Sequence, residues 1–467
     1  MLAERLLPSS RHNVPYLDAI RGIAVLSILF RHAWGMTGGP SVILAGIDFA
    51  KVFTMLSSGV DLFFVLSGVL LAGRYLRADA NGTPPPRYSE YFTARILRIA
   101  PPYWLALGIA VFVLVPLLSM PTHAWDAQGF ATFGTHAVFA QMLFPFAQGA
   151  YGIVGQFWTL SIEMCFYLIL PLMVRAFYNG RWWQGVVASF AVSIAWLWLC
   201  RNALGGLVSF IHNHSFGVDV SPEQIRFLLS RQIVAYLPHF AIGISISAIL
   251  ISGRRNFLTG HRAGVVYAIL GTCVLAWAMY RLGGIARSHP MPHADLFKTD
   301  NFSARFFYYG ENLPFAIGYG LLIFGVSLSP ARLKDGIARI PGLCFYGVIG
   351  YSVYLLHWPM LVLMSHIPWI AEDHRMWPTT AKLFLPGGVL ITAMSLAYFL
   401  LVERPSMAMA TRFSHLGRAR SAHAMHSPQE TTLHSRESPV APASSATPGS
   451  GRSGSQRRDT ASTASAK

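Results

Sequence analysis

The sequence predicts an all-α fold: a polytopic bundle of about ten transmembrane helices with both termini in the cytoplasm. Three observations predict it. Of 467 residues, 53% are hydrophobic and only 12% are charged, roughly half the charged share of an average soluble domain, and the mean hydropathy is +0.45. The apolar residues gather in stretches of the ~20 residues a helix needs to cross the hydrocarbon core. The basic residues concentrate in alternate loops between those stretches, as the positive-inside rule requires.

The first helix spans about Tyr16 to Gly35 and holds Asp18, Arg21, Arg31 and His32. An ionisable group near a bilayer centre costs roughly 2.5–3.5 kcal/mol on insertion scales, so these groups require a protein interior or a wet cavity. Arg21 and His32 are eleven residues apart, which is three turns plus roughly 20°, with a rise of about 16 Å. Both therefore lie on one face, and Asp18 is within pairing reach of Arg21. A cation sits near one end of a buried stripe and a titratable base deeper in.

A loop with two glycines and Pro40 leads to the second helix, about Ser58 to Arg77, with Asp61 near its start. The third begins near Pro101–Pro102, an expected first-turn placement, after Arg95 and Arg98, and runs to about Met120. The stretch Pro121–Val154 carries no Lys or Arg and reads as an outer loop. The fourth helix is about Gln156–Phe177, the fifth Trp183–Cys200, the sixth Ile233–Ile251 and the seventh Ala263–Leu282. The eighth is about Pro314–Leu328, the ninth Gly350–Met364 and the tenth Leu383–Val402, closing at Glu403–Arg404–Pro405. The loops after helices two, four, six and eight, taken as Arg74–Arg98, Arg175–Arg181, Arg254–Arg262 and Arg332–Arg339, hold 5, 2, 3 and 3 basic residues. Residues 1–413 are expected to form the membrane domain. Residues 414–467, rich in Ser, Ala, Thr, Pro and Arg, are expected to form a disordered basic cytoplasmic tail.

The net charge of +16 and the pI near 10.0 belong to loops and tail, so they are explained by topology and the lipid bilayer rather than by nucleic acid. The four cysteines, Cys165, Cys200, Cys273 and Cys344, form no CxxC pair, and neither a disulfide framework nor a metal site is expected. His212 and His214 form an HxH without an acidic or thiol partner nearby. The first apolar run is interrupted by Arg21 and Arg31–His32, so it reads as a retained signal anchor rather than a cleaved leader.

Several residues have the chemistry of a site. His32, neutral near physiological pH, can accept a proton from a hydroxyl. Glu163 is an intramembrane carboxylate that needs a partner; it either orients the imidazole, as the acid of a triad does, or pairs with Arg21. Ser161 is a packing hydroxyl or a nucleophile, with no GxSxG elbow around it. Arg95 and Arg98, one turn apart, are either topology signals or a phosphate clamp. Asp61 either matches a helix dipole or serves a cavity. His357, near Tyr351 and Tyr354, either lines a cavity or bonds between helices.

Six motifs occur in order: Tyr16-Leu-Asp-Ala-Ile-Arg-Gly, Arg21-x10-His32, Gly59-Val-Asp-Leu-Phe-Phe-Val-Leu-Ser-Gly68, Arg95-x-x-Arg98, Trp158-Thr-Leu-Ser-Ile-Glu163 and Tyr351-Ser-Val-Tyr-Leu-Leu-His-Trp-Pro359. Together they resemble the membrane acyltransferase-3 family from about residue 14 to 406. The departures are Met164, where many relatives carry a second acid or amide, and Asp18-Ala19 in place of Asp-Gly. The resemblance implies an O-acyltransferase of a bacterial inner membrane. It would move an acyl group, by default acetyl, from cytoplasmic acyl-CoA to a hydroxyl of a sugar or glycoconjugate, with no bound cofactor. It implies His32 as the essential histidine, Arg21, Arg95 and Arg98 as donor-binding, and Glu163 as the acid of the fourth-helix motif; with that, His32 and Glu163 are expected to be catalytic, and Asp18, Asp61, Trp158, Ser161, Tyr351 and His357 to line or support a cavity. General-base catalysis by His32 and an acyl-histidine intermediate both remain open. The competing class is a transporter or flippase, for which buried charges in ten helices would also serve, but no inverted repeat is seen.

Overall fold

With no water in the hydrocarbon core, a crossing segment must satisfy its backbone internally, and each of the ten expected stretches is helical. The computed structural model describes residues 14–120, 126–147, 152–213, 222–253, 259–288, 310, 312–371 and 376–413. The expected tail, 414–467, lies outside them, as do His214 and the His212 side chain. The main helices are α1 (Pro15–Met36), α2 (Gly59–Ala80), α3 (Tyr88–Ile109), α4 (Ala127–Ala137), α5 (Trp158–Met173), α6 (Trp182–Asn202) and α7 (Ile233–Ser252). They continue with α8 (His261–Ser288), α9 (Asn312–Leu328), α10 (Ala331–Arg339), α11 (Leu343–Val348), α12 (Gly350–Ser365) and α13 (Pro386–Tyr398).

Among the described residues, seven helical stretches are long and apolar enough to cross a membrane, and the α9–α10 pair, bent by 114°, makes an eighth. The other two expected spans are α1, which carries the charged stripe, and α12, which has only 16 residues. The sole strands described are Ile43–Leu44 and Ile47–Asp48, an antiparallel pair. They turn through Ala45 and Gly46, both at positive φ, as a two-residue hairpin requires.

Two segments differ from expectation. The outer loop contains α4, nucleated by Asp126, whose carboxylate caps the helix by accepting from the Gly129 amide at 2.8 Å. Helix three begins at Tyr88, and Pro101 and Pro102 lie inside it. A proline removes one i→i−4 bond, but the helix here is held from outside. Tyr351 donates to the Ile99 carbonyl at 2.9 Å, and Tyr398 donates to that of Pro102. The early start carries Arg95 and Arg98 on the helix itself.

Small residues bring backbones together where the site forms. A Cβ on Gly347 would stand 1.8 Å from the Asp18 carbonyl oxygen, and one on Gly22 would stand 2.1 Å from that of Leu343. α1 and α11 therefore touch backbone to backbone at this crossing. The contact fixes the depth of Asp18 and Arg21. α12 is pinned differently. Pro359 cannot donate to the Leu355 carbonyl one turn back, and the Gln156 amide takes that carbonyl at 3.2 Å. Trp358 donates to the Gly152 carbonyl at 2.7 Å, which ties the loop before α5 to α12.

Candidate active site: two adjoining cavities

The helical period separates Arg21 and His32 along α1, and each opens on its own cavity. The first, of about 140 Å³, is lined by Arg21 of α1, Ser67 of α2, Arg95 and Arg98 of α3, Glu163 and Tyr167 of α5, Tyr351 of α12, and Glu403. The second, of about 210 Å³, is lined by His32, Ser57, Gln156, Trp158 and Trp358, with Gly152 and Gly155 from the loop. Val60 and Tyr354 line both. The two cavities adjoin at these residues.

The arginine cavity is a set of countercharges. Arg21 Nη1 lies 3.1 Å from Asp18 Oδ1, the pairing expected from the three-residue spacing. The Arg95 guanidinium faces the rings of Tyr91 and Tyr167 at 6.0 and 5.9 Å, a cation–π geometry that orients it. Glu163 accepts from Tyr167 and, at 3.3 Å, from Ser67. A second carboxylate, Glu403, is buried and accepts from Ser352 at 2.5 Å. Three fixed cations, two of them one turn apart on α3, suit a multiply charged anion.

The histidine cavity is neutral and aromatic. His32 Nδ1 lies 2.8 Å from His357 Nε2; the rings meet end to end and nearly coplanar, with centroids 5.0 Å apart and planes 6° apart. Trp358 meets the His32 ring edge-on at 5.1 Å. His357 is buried, and its Nδ1 lies 2.8 Å from the Tyr354 carbonyl oxygen and 3.1 Å from that of Val353. Tyr354 itself is held by Thr159 and the Gln156 carbonyl.

The expected residues divide between these places. Arg21, Arg95, Arg98, Glu163 and Tyr351 meet in the first cavity, with Asp18 behind Arg21. His32 and Trp158 meet in the second, with His357 behind His32. Arg21 and His32 line two adjoining cavities that have Val60 and Tyr354 in common. Glu163 stands with the arginines, and the partner at the imidazole is His357. Asp61 lines neither; its Oδ1 lies 2.8 Å from Nε2 of the fully buried His239. Ser161 is buried, lines neither cavity, and its hydroxyl has no partner among the described residues.

Sequence reasoning missed Glu403, His239, Gln156 and Ser67. An acid at the close of an apolar helix was the available signal for Glu403. Gln156 and Ser67 are ordinary in sequence and acquire meaning only from what they face.

The family model described as an acyltransferase domain matches residues 14–403. The chain belongs to the acyltransferase-3 family. Among curated proteins it is similar to nodulation protein 10 of Rhizobium leguminosarum, 27% identical over 41% of this chain and 53% of that protein. It is similar to the peptidoglycan O-acetyltransferase OatA of Listeria monocytogenes, 20% identical over 78% of this chain and 52% of that protein. It is also similar to the exopolysaccharide production protein ExoZ of Rhizobium meliloti, 31% identical over 25% of this chain and 34% of that protein. The chain spans about half or less of the length of these three relatives. No solved structure matches. Family and helices together make this a multi-pass membrane protein of the acyltransferase-3 family.

Proposed function

We propose that this protein transfers an acyl group, acetyl by default, from cytoplasmic acyl-CoA to a hydroxyl of a sugar or glycoconjugate, with His32 as the base. The observation that carries the reading is the pair of cavities with one wall: three arginines on one side of Val60 and Tyr354, an imidazole on the other. The phosphates of CoA match the guanidinium groups of Arg21, Arg95 and Arg98. The pantetheine arm is thin and comparable in length to the ~16 Å rise from Arg21 to His32, so the thioester would reach the shared wall. OatA is named as acting on peptidoglycan and ExoZ for exopolysaccharide, which favours a glycan acceptor.

The chemistry follows. The acceptor oxygen attacks the thioester carbonyl carbon while a ring nitrogen of His32 takes the hydroxyl proton. The tetrahedral intermediate then collapses, the C–S bond breaks, and the CoA thiolate leaves, taking the proton that His32 received and so restoring the free imidazole. Holding thioester, hydroxyl and base together supplies much of the rate. Glu163 and Glu403, on the arginine side, offset the charge of the cations when the donor is absent.

The test uses purified protein in detergent, labelled acetyl-CoA and a panel of glycan acceptors. Label should appear on the glycan, or as hydrolysed acetate, in the unmodified protein and vanish in His32→Ala. A labelled adduct trapped on His32 would replace base catalysis by an acyl-histidine mechanism. Glycan movement across vesicles with no acyl transfer would overturn the reading in favour of a transporter.

A further inference from the structure

A base with two nitrogens is useful only if the proton sits on the right one. Which nitrogen carries it is set from α12, by a residue 325 positions from His32. A side chain on a helix leans back over the preceding turn, and the His357 ring does so. Its Nδ1 meets two carbonyl oxygens, those of Tyr354 and Val353, at 2.8 and 3.1 Å. Carbonyl oxygens only accept, so His357 Nδ1 must carry the hydrogen and donate. His357 is 1% exposed, and no salt bridge among the described residues joins either ring, so the neutral form is favoured there. In a neutral imidazole with Nδ1 protonated, Nε2 is an acceptor. That acceptor lies 2.8 Å from His32 Nδ1, which must then be the donor.

We propose that His357 is the positioning residue of the site. It holds His32 in the tautomer with hydrogen on Nδ1 and leaves the Nε2 lone pair as the base. This rests on His32 being the base, and it goes further by naming the nitrogen and the group that selects it. His32 Nε2 makes no hydrogen bond among the described residues, and the ring lines the second cavity. Two backbone carbonyls, through one neutral ring, perform the orienting task that a carboxylate performs in a Ser-His-Asp triad. The near-coplanar rings, 6° from parallel and joined by that bond, hold the direction of that lone pair. When His32 gains the acceptor proton, its Nδ1–H still points at an unprotonated nitrogen, so the imidazolium keeps its hydrogen bond.

The experiment reads the tautomer directly. Full-length protein with ¹⁵N-labelled histidine is placed in detergent at neutral pH, and two-bond ¹H–¹⁵N correlations are recorded. The resonance pattern lost in His32→Ala identifies His32. Its Nδ1 should be of the protonated type and its Nε2 of the unprotonated type. Hydrogen on Nε2 instead would overturn the proposal. Kinetics give a second reading. His357→Phe keeps a ring in place but removes the acceptor, and kcat should fall about 100-fold while the donor KM stays within about twofold. His357→Gln, whose amide can both donate and accept, should recover most of that loss. Should His357→Phe fold poorly, the tautomer in the unmodified protein still decides. A His32→Ala protein that keeps transfer overturns the base assignment itself. Loss in His32→Ala with near-normal kcat in His357→Phe overturns only the role of His357.

Discussion

The two cavities share a wall but are built on opposite electrostatic plans. The first places three arginines against Asp18, Glu163 and Glu403, and its long side chains are held by ion pairing, phenolic hydroxyls and aromatic faces. The second has no carboxylate and no arginine among its described lining residues, and its His32–His357 pair is anchored on backbone carbonyls. On the proposed function, the countercharged arginines would take an anion and release it, because the carboxylates would compensate when it leaves. On the same reading, an imidazole among indole rings, with no carboxylate among the lining residues described, would accept a proton and release it again. Under that proposal the first side would hold the donor and the second perform the chemistry, with Val60 and Tyr354 common to both.

The largest break in this comparison should come from His32→Ala. Transfer should drop by on the order of 10²–10⁴-fold, while binding of CoA, followed by calorimetry or by a thermal shift, should persist. Loss of CoA binding together with activity would mean that the two cavities are not separate in function. The second break should come from the other side. Arg95→Ala or Arg98→Ala removes a charge-assisted contact, a loss of roughly 1.5–3 kcal/mol. The donor KM should then rise about 10- to 150-fold with kcat much less affected, and the effect should weaken as salt rises. A fall in kcat at unchanged KM would place these arginines in the chemical step.

Much of this division was readable in the sequence. The helical period alone put Arg21 and His32 on one face of α1, and the charge of the loops marked Arg95 and Arg98 as belonging to the opposite end from His32. The three-residue spacing placed Asp18 with Arg21. What could not be read depended on contacts between distant segments. His357 was marked by its motif, but nothing local says that it lies behind His32. Glu163 had two candidate partners, and only the packing of α5 against α2, which brings Ser67 to it, assigns it to the arginines. The start of α3 was misjudged because a proline pair reads locally as a helix beginning. The tyrosines that support those turns, Tyr351 and Tyr398, come from more than two hundred residues later.

Glu163→Gln sharpens the comparison at the residue whose side was ambiguous. The amide keeps the shape and an acceptor for Tyr167 and Ser67 but removes the charge. If Glu163 serves the arginine cavity, the donor KM should change by about three- to tenfold, the scale of one partly screened charge interaction of about 1 kcal/mol, and the pH dependence of kcat should keep its midpoint. A shifted midpoint, with donor KM unchanged, would assign Glu163 to the imidazole instead.

The smallest effect should lie in the wall. Val60 lines both cavities, and Val60→Ala removes two methyl groups from the place where the acyl chain would emerge beside His32. One buried methylene in an apolar pocket is worth about 1 kcal/mol in discrimination, so the preference for acetyl over propionyl or butyryl donors should relax by about threefold to tenfold. Tyr354 cannot be trimmed in the same way without releasing Thr159 and the Gln156 carbonyl, which makes Val60 the cleaner probe. Competition between labelled acetyl-CoA and butyryl-CoA measures the shift. An unchanged preference, in a protein whose acetyl kcat is intact, would mean that the acyl group does not pass this wall, and the thioester would have to reach His32 by another route.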